Sequence, residues 1–119
     1  MKILGIGNAI VDVICKVNDE FIVNNKLTKS NMKLIFDENE FKRLLSSLKI
    51  EKTISGGSVA NSIVGLSQLG NDVGFIGKIS DDKLGNEYEI GLKKENVKYI
   101  YNKKKEVLPT GTCLILVTP

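Results

Sequence analysis

An amide, a carboxylate and a paired-glycine turn are the groups in this 119-residue sequence whose types and spacing suit chemistry. Asn8 and Asp12 flank Ala9-Ile10-Val11, and Ser55-Gly56-Gly57-Ser58-Val59-Ala60-Asn61 follows later. A carboxylate only accepts hydrogen bonds, whereas an amide side chain both donates and accepts. Two adjacent glycines let the backbone turn sharply and let a ligand come close to peptide N–H groups. A helix beginning just after them offers free N–H groups and a partial positive charge to ligand oxygens. Each feature also has a plain structural reading. Gly-Gly-Ser is also a tight turn with a serine cap, Asp12 a turn-capping carboxylate and Asn8 a turn residue.

Other chemistries are excluded by what is missing. There is no histidine, which rules out Ser-His-Asp and Cys-His catalysis within these residues and most zinc sites. Cys15 and Cys113 are far apart and match no metal-ligand spacing; free buried thiols are expected, with a disulfide as the alternative. The net charge of +3 is too small to argue for nucleic acid, and the aromatics are too few for a stacking platform. The basic run Lys103-Lys104-Lys105 reads as a solvated loop rather than an anion patch. Gly5-Ile6-Gly7 starts like a dinucleotide fingerprint, but Ile10 takes the third glycine's place and a strand-like run follows. Neither a signal-peptide pattern nor an apolar run of membrane-spanning length is visible, so a cytoplasmic protein without membrane partners is expected.

Those groups need elements to hold them. Composition, 42% hydrophobic and 26% charged, is that of one globular domain or part of one. Residues 2–7 read as a buried first strand, 11–17 as a second, and 32–36 as a third. Between them, 18–31 reads as polar loop. Asp37 and Glu40 form a capping-box pattern ahead of the stripe Phe41, Leu44, Leu45, Leu48. A β-prone run at 52–54 leads into the glycine turn. Val59, Ala60, Ile63, Val64, Leu66 and Leu69 then mark a helix capped by Ser58. A turn at Asn71-Asp72, a strand over 73–79, and a helix with Leu84, Tyr88 and Leu92 follow. Asp81-Asp82 read as its caps, with a paired-carboxylate metal site as the minor alternative. Strands are predicted over 95–101 and 113–117. Strands alternating with helices argue for an α/β fold with a mostly parallel sheet. Three strands break the alternation, 11–17, 32–36 and 112–117, and are predicted to form a separate small sheet.

Taken in order, Gly7-Asn8-x-x-x-Asp12, Gly56-Gly57-Ser58-x-x-Asn61, Gly77-Lys78-Ile79-x-Asp81-Asp82-x-x-Gly85 and Pro109-Thr110-Gly111-Thr112-Cys113 resemble the N-terminal part of a ribokinase-like (PfkB-type) carbohydrate kinase. The resemblance covers residues 1–119. It implies a three-layer α/β/α domain with a small β-sheet lid, the lid strands lying near 11–17, 32–36 and 112–117. It implies transfer of the γ-phosphoryl of ATP, with Mg2+, to a nucleoside or sugar hydroxyl. In that reading Asp12 accepts hydrogen bonds from sugar hydroxyls. Asn8 and Asn61 hold other sugar oxygens, and the N–H groups around Gly56 and Gly57 pack under the ring. Sugar-specific members often have lysine where Ser58 stands and the aspartate two residues after the asparagine. Those departures, with Thr110-Gly111-Thr112-Cys113, resemble the adenosine kinase branch. They favour a nucleoside, with Met32 and Cys113 as soft apolar surface for its base. The family's catalytic aspartate, Gly-Ala-Gly anion hole and ATP site belong to its C-terminal half, so neither a catalytic residue nor a metal ligand is expected here. The family's lid strands can pair between subunits, which implies a homodimer. A non-catalytic small-molecule-binding or dimerisation module is the alternative.

Overall fold

The computed structural model describes residues 2–103 and 107–119. Lys104 and Lys105 of the basic run lie outside the described residues. The chain divides into two units, Met1–Asp12 with Thr53–Cys113, and Val13–Lys52 with Leu114–Pro119.

The first unit is a parallel sheet packed with helices. Strand β1 (Lys2–Ile6) pairs in parallel with β4 (Asp72–Ile76), with Ile6 opposite Ile76. Strand β4 pairs in parallel with the short β5 (Lys98–Tyr99). Helix α3 (Ser58–Gln68) lies against β1, and α4 (Lys83–Lys94) packs near β5. Val73, Phe75, Ile79, Tyr88, Leu92, Val97, Ala60 and Ile63 form the core. The Phe75 and Tyr88 rings meet at 6.2 Å between centroids. The close seat of α3 on β1 requires glycine: a Cβ at Gly5 would stand 2.5 Å from Ile63 Cγ1.

Strand β1 is not buried on both faces, as its apolar run suggested. Leu4 and Ile6 are 52% and 69% exposed. Side chains alternate across a strand, and α3 covers only the face that carries Gly5.

A second three-stranded sheet has the order β3-β2-β6, from β3 (Ile50–Gly56), β2 (Ile10–Lys16) and β6 (Thr112–Val117). Each of these strands runs from one unit into the other. A separate small sheet exists, but its third strand is β3 and not the predicted 32–36. Residues 32–36 form neither helix nor strand. Met32, Leu34 and Phe36 are 79%, 67% and 92% exposed, so their alternating pattern finds no ladder to join.

The second unit also holds two short helices. The stretch read as polar loop contains α1 (Asp19–Asn24), whose N-cap Asn18 accepts from the Phe21 N–H at 2.9 Å. Helix α2 (Glu38–Ser46) is capped by Asp37, which accepts from the Asn39 N–H. Glu40 does not close the expected capping box, because its carboxylate takes Lys33 instead at 2.7 Å. The predicted stripe is core mainly at Leu44, which is buried.

Candidate functional site

Strands β1 and β4 end side by side, and the chain beyond them builds the site. Gly7 N–H donates to the Ile76 carbonyl at 3.0 Å and closes the ladder. Asn8 then stands two residues past β1, and Lys78 two residues past β4. Parallel α/β sheets bind ligands outside the carboxyl ends of their strands, where peptide groups and loops converge. Here that region holds an open cavity of about 310 Å³ lined by Asn8, Ala9, Ile10, Lys78, Leu108, Pro109 and Gly111. Its backbone is fixed from below: Val11 N–H donates to the Gly111 carbonyl at 2.8 Å.

The glycine turn packs against the same loop. Gly57 has φ of 103°, a conformation that L side chains rarely adopt. A Cβ there would collide with the Asn8 carbonyl oxygen, and one at Gly56 would lie 2.6 Å from Asp12 Oδ2. The turn therefore brings Gly56 to Asp12 and Gly57 to Asn8, pairs far apart in sequence. Tyr88 positions it: the buried phenol donates to the Gly56 carbonyl at 3.1 Å. Burial pushes the Tyr88 hydroxyl's pKa far up, so it stays a donor at ordinary pH. Ser55 Oγ donates to the Tyr88 carbonyl at 3.0 Å and ties β3 to α4 a second time.

Ser58 does not cap α3. The N-cap is Gly57, without a side-chain cap bond, because the turn at positive φ starts the helix one residue before the serine. Ser58 and Asn61 lie exposed in the helix's first turn, and the Asn61 N–H already bonds the Gly57 carbonyl at 2.9 Å. N–H groups at the very start of α3 have no partner within the helix and face outward for hydrogen bonding. Cys113 is exposed and close enough to Asp12 to feel its charge; partial burial of the thiol and then that charge raise its pKa. Cys15 is buried and free as well. Met32 belongs to the second unit and is exposed.

The Asp81-Asp82 pair is no metal site. Asp82 caps α4, accepting from the Gly85 N–H at 2.7 Å and from the Thr110 N–H and hydroxyl at 2.8 Å each. Burial opposes its charge, and these donors with Lys78 outweigh that and hold its pKa below the usual carboxylate value. Among the described residues no three His, Cys, Asp or Glu side chains converge on a possible metal position. Tyr88, Thr110 and Lys78 stand in the helix stripe and motifs quoted above, but sequence alone assigned none of them a role at the site. A Thr ahead of β6 facing an Asp-x-x-Gly cap was the available signal for the second.

Comparison with known proteins gives the family and the fold. The family model for pfkB family carbohydrate kinase matches residues 15–119, and the chain belongs to that family. Among solved structures, a probable sugar kinase from Rhizobium etli CFN 42 superposes with a TM-score of 0.82 at 34% identity. That match covers 98% of this chain and 35% of the other. The adenosine kinase from Sinorhizobium meliloti gives a TM-score of 0.82 at 32% identity, over 98% of this chain and 36% of that one. Among curated proteins, the 5-dehydro-2-deoxygluconokinase of Mesomycoplasma hyopneumoniae (strain 232) is 34% identical over 85 residues, 71% of this chain and 24% of that protein. The chain thus spans about a quarter of that relative's length. The α/β ribokinase-like fold expected from the motifs is the observed one.

Proposed function

We propose that the whole protein transfers the γ-phosphoryl of ATP to a hydroxyl of a sugar or nucleoside, and that this chain supplies the acceptor side. The observation carrying this reading is the contact of Gly56 with Asp12 and of Gly57 with Asn8 beyond the ends of the parallel strands. Asp12 accepts acceptor hydroxyls, which suits an acceptor-only carboxylate. Asn8 and Asn61 hold oxygens that need both a donor and an acceptor. The N–H groups at Gly57 and the start of α3 pack beneath the ring, with Ser58 at the rim. Phosphoryl transfer is mostly positioning and charge stabilisation, so fixing the acceptor hydroxyl is this segment's share of the work. ATP, Mg2+ and the catalytic base are assigned to residues outside this chain, and the strands around β2 and β6 to a lid that also pairs subunits.

Two acceptor classes compete. The Ser58 and Asn8-to-Asp12 pattern favours a nucleoside, with Cys113 against its base. The names of the curated relatives favour a sugar acid derivative. ADP release by the whole protein with ATP, Mg2+ and a panel of adenosine, ribose, fructose and 5-dehydro-2-deoxygluconate tests the reading. Turnover on one of them, lost in Asp12→Asn, is the expected result. No turnover on any would remove it.

A further inference from the structure

We propose that Lys78 makes the cavity beyond β1 and β4 an anion-recognising subsite, so that the acceptor carries a carboxylate or phosphate group. This rests on the kinase reading and narrows it, toward an acidic sugar derivative and away from a neutral nucleoside.

The parallel register sets the geometry. Ile6 pairs with Ile76, so Asn8 and Lys78 occupy matching places two residues past adjacent strand ends. Both line the same cavity of about 310 Å³, large enough for a small polyhydroxylated molecule. Lys78 is the only charged side chain among its described lining residues. The rest of the wall is Ala9, Ile10, Leu108, Pro109 and Gly111, which cannot neutralise an ammonium.

Lys78 is also uncommitted. Among the described residues it makes no ion pair, although seven other lysines do. The Asp82 carboxylate, which feels the Lys78 charge, is taken by the Gly85 and Thr110 donors and forms no ion pair with Lys78. A cation without an ion pair in the wall of an otherwise uncharged cavity, with the Asn8 amide in the same wall, suits a ligand that carries both hydroxyls and an anionic group. Residue Lys78 is exposed and outside every helix and strand, so its replacement should leave the fold intact.

The test is binding of matched pairs to the whole protein by isothermal titration at low salt: gluconate against glucitol, and fructose 6-phosphate against fructose. Wild type, Lys78→Gln and Lys78→Arg are compared, with melting temperatures as the control on folding. The expected result is that one acid binds wild type better than its neutral partner. Lys78→Gln then weakens the acid about tenfold or more, the size of a charge-assisted hydrogen bond. Lys78→Arg restores part of it, and the neutral partner changes less than about twofold. The pair that responds identifies carboxylate or phosphate. The proposal is overturned if neither acid is preferred by wild type, or if the preference survives in Lys78→Gln. ADP release separates the two readings. A Lys78-dependent acid preference without turnover of any acceptor removes the kinase reading and keeps this one. Turnover on neutral acceptors without acid preference does the reverse.

Discussion

The Tyr88 hydroxyl donates to the Gly56 carbonyl at 3.1 Å across 32 positions of sequence, and so ties the core of α4 to the glycine turn. The turn's shape is thus set by a buried side chain, not only by its own glycines. Tyr88→Phe removes a donor from a buried carbonyl. It should lower stability by about 1–3 kcal/mol. If the turn holds the acceptor, KM for the acceptor should rise while the ATP KM stays put. Denaturant titration and acceptor kinetics on the same variant check both halves, and an unchanged midpoint would show that the bond contributes nothing.

Gly57 is held at φ of 103° with the Asn8 carbonyl where its Cβ would be. Gly57→Ala therefore meets strain and a steric clash together and should destabilise by about 1–3 kcal/mol. Gly65, inside helix α3, has open space around it, and Gly65→Ala is the control. That control should be neutral or stabilising by up to about 1 kcal/mol. Equal thermal shifts in the two variants would mean that the turn is not the constraint it is argued to be.

The parts legible in the sequence were those with local signals. Helix α3 follows from apolar spacing after two glycines, and α4 from an aspartate cap three residues before Gly85 that does bind its N–H. The parts that were not legible depend on distant partners. Met32, Leu34 and Phe36 alternate like a strand, yet a strand exists only if another strand bonds it, and β3 stands beside β2 instead. Helix α1 is six residues long, too short to display a period, and only Asn18 announces it. Ser58 looks like a cap because Gly57's positive φ, which moves the helix start, is invisible in one dimension. At the site, Asn8, Asp12 and the glycines were readable by type. Lys78 was not, because its place beside Asn8 comes from the pairing of β1 with β4.

Asp12 touches Gly56 rather than any basic side chain, and no ion pair consumes it among the described residues. A carboxylate kept free at that place is expected to serve the acceptor. Asp12→Asn in the whole protein should cost at least about 1.5 kcal/mol in kcat/KM for the acceptor, the scale of a charge-assisted hydrogen bond. Its melting temperature should move little. Unchanged acceptor kinetics would sink the assignment.

Asp82 should show its contribution through pH. Its carboxylate joins α4 to Thr110 through three hydrogen bonds, and Thr110 Oγ1 in turn accepts from the Ser80 N–H at 3.0 Å. The folded pKa lies below the ordinary value of 3.8. A group of this kind binds its proton more weakly when folded, so the unfolded state gains protons first as pH falls. Its stabilisation is therefore fully present above the ordinary value and is lost as pH drops through the lowered one. Asp82→Ala removes the cap and should cost about 1–2 kcal/mol at pH 7. The gap between wild type and variant should hold from pH 7 to about 5 and narrow below about 4, following the ordinary carboxylate range. Urea titrations of both proteins across that range measure it. A gap that stayed constant down to the lowest pH at which both fold would mean that the carboxylate's charge plays no part in the cap.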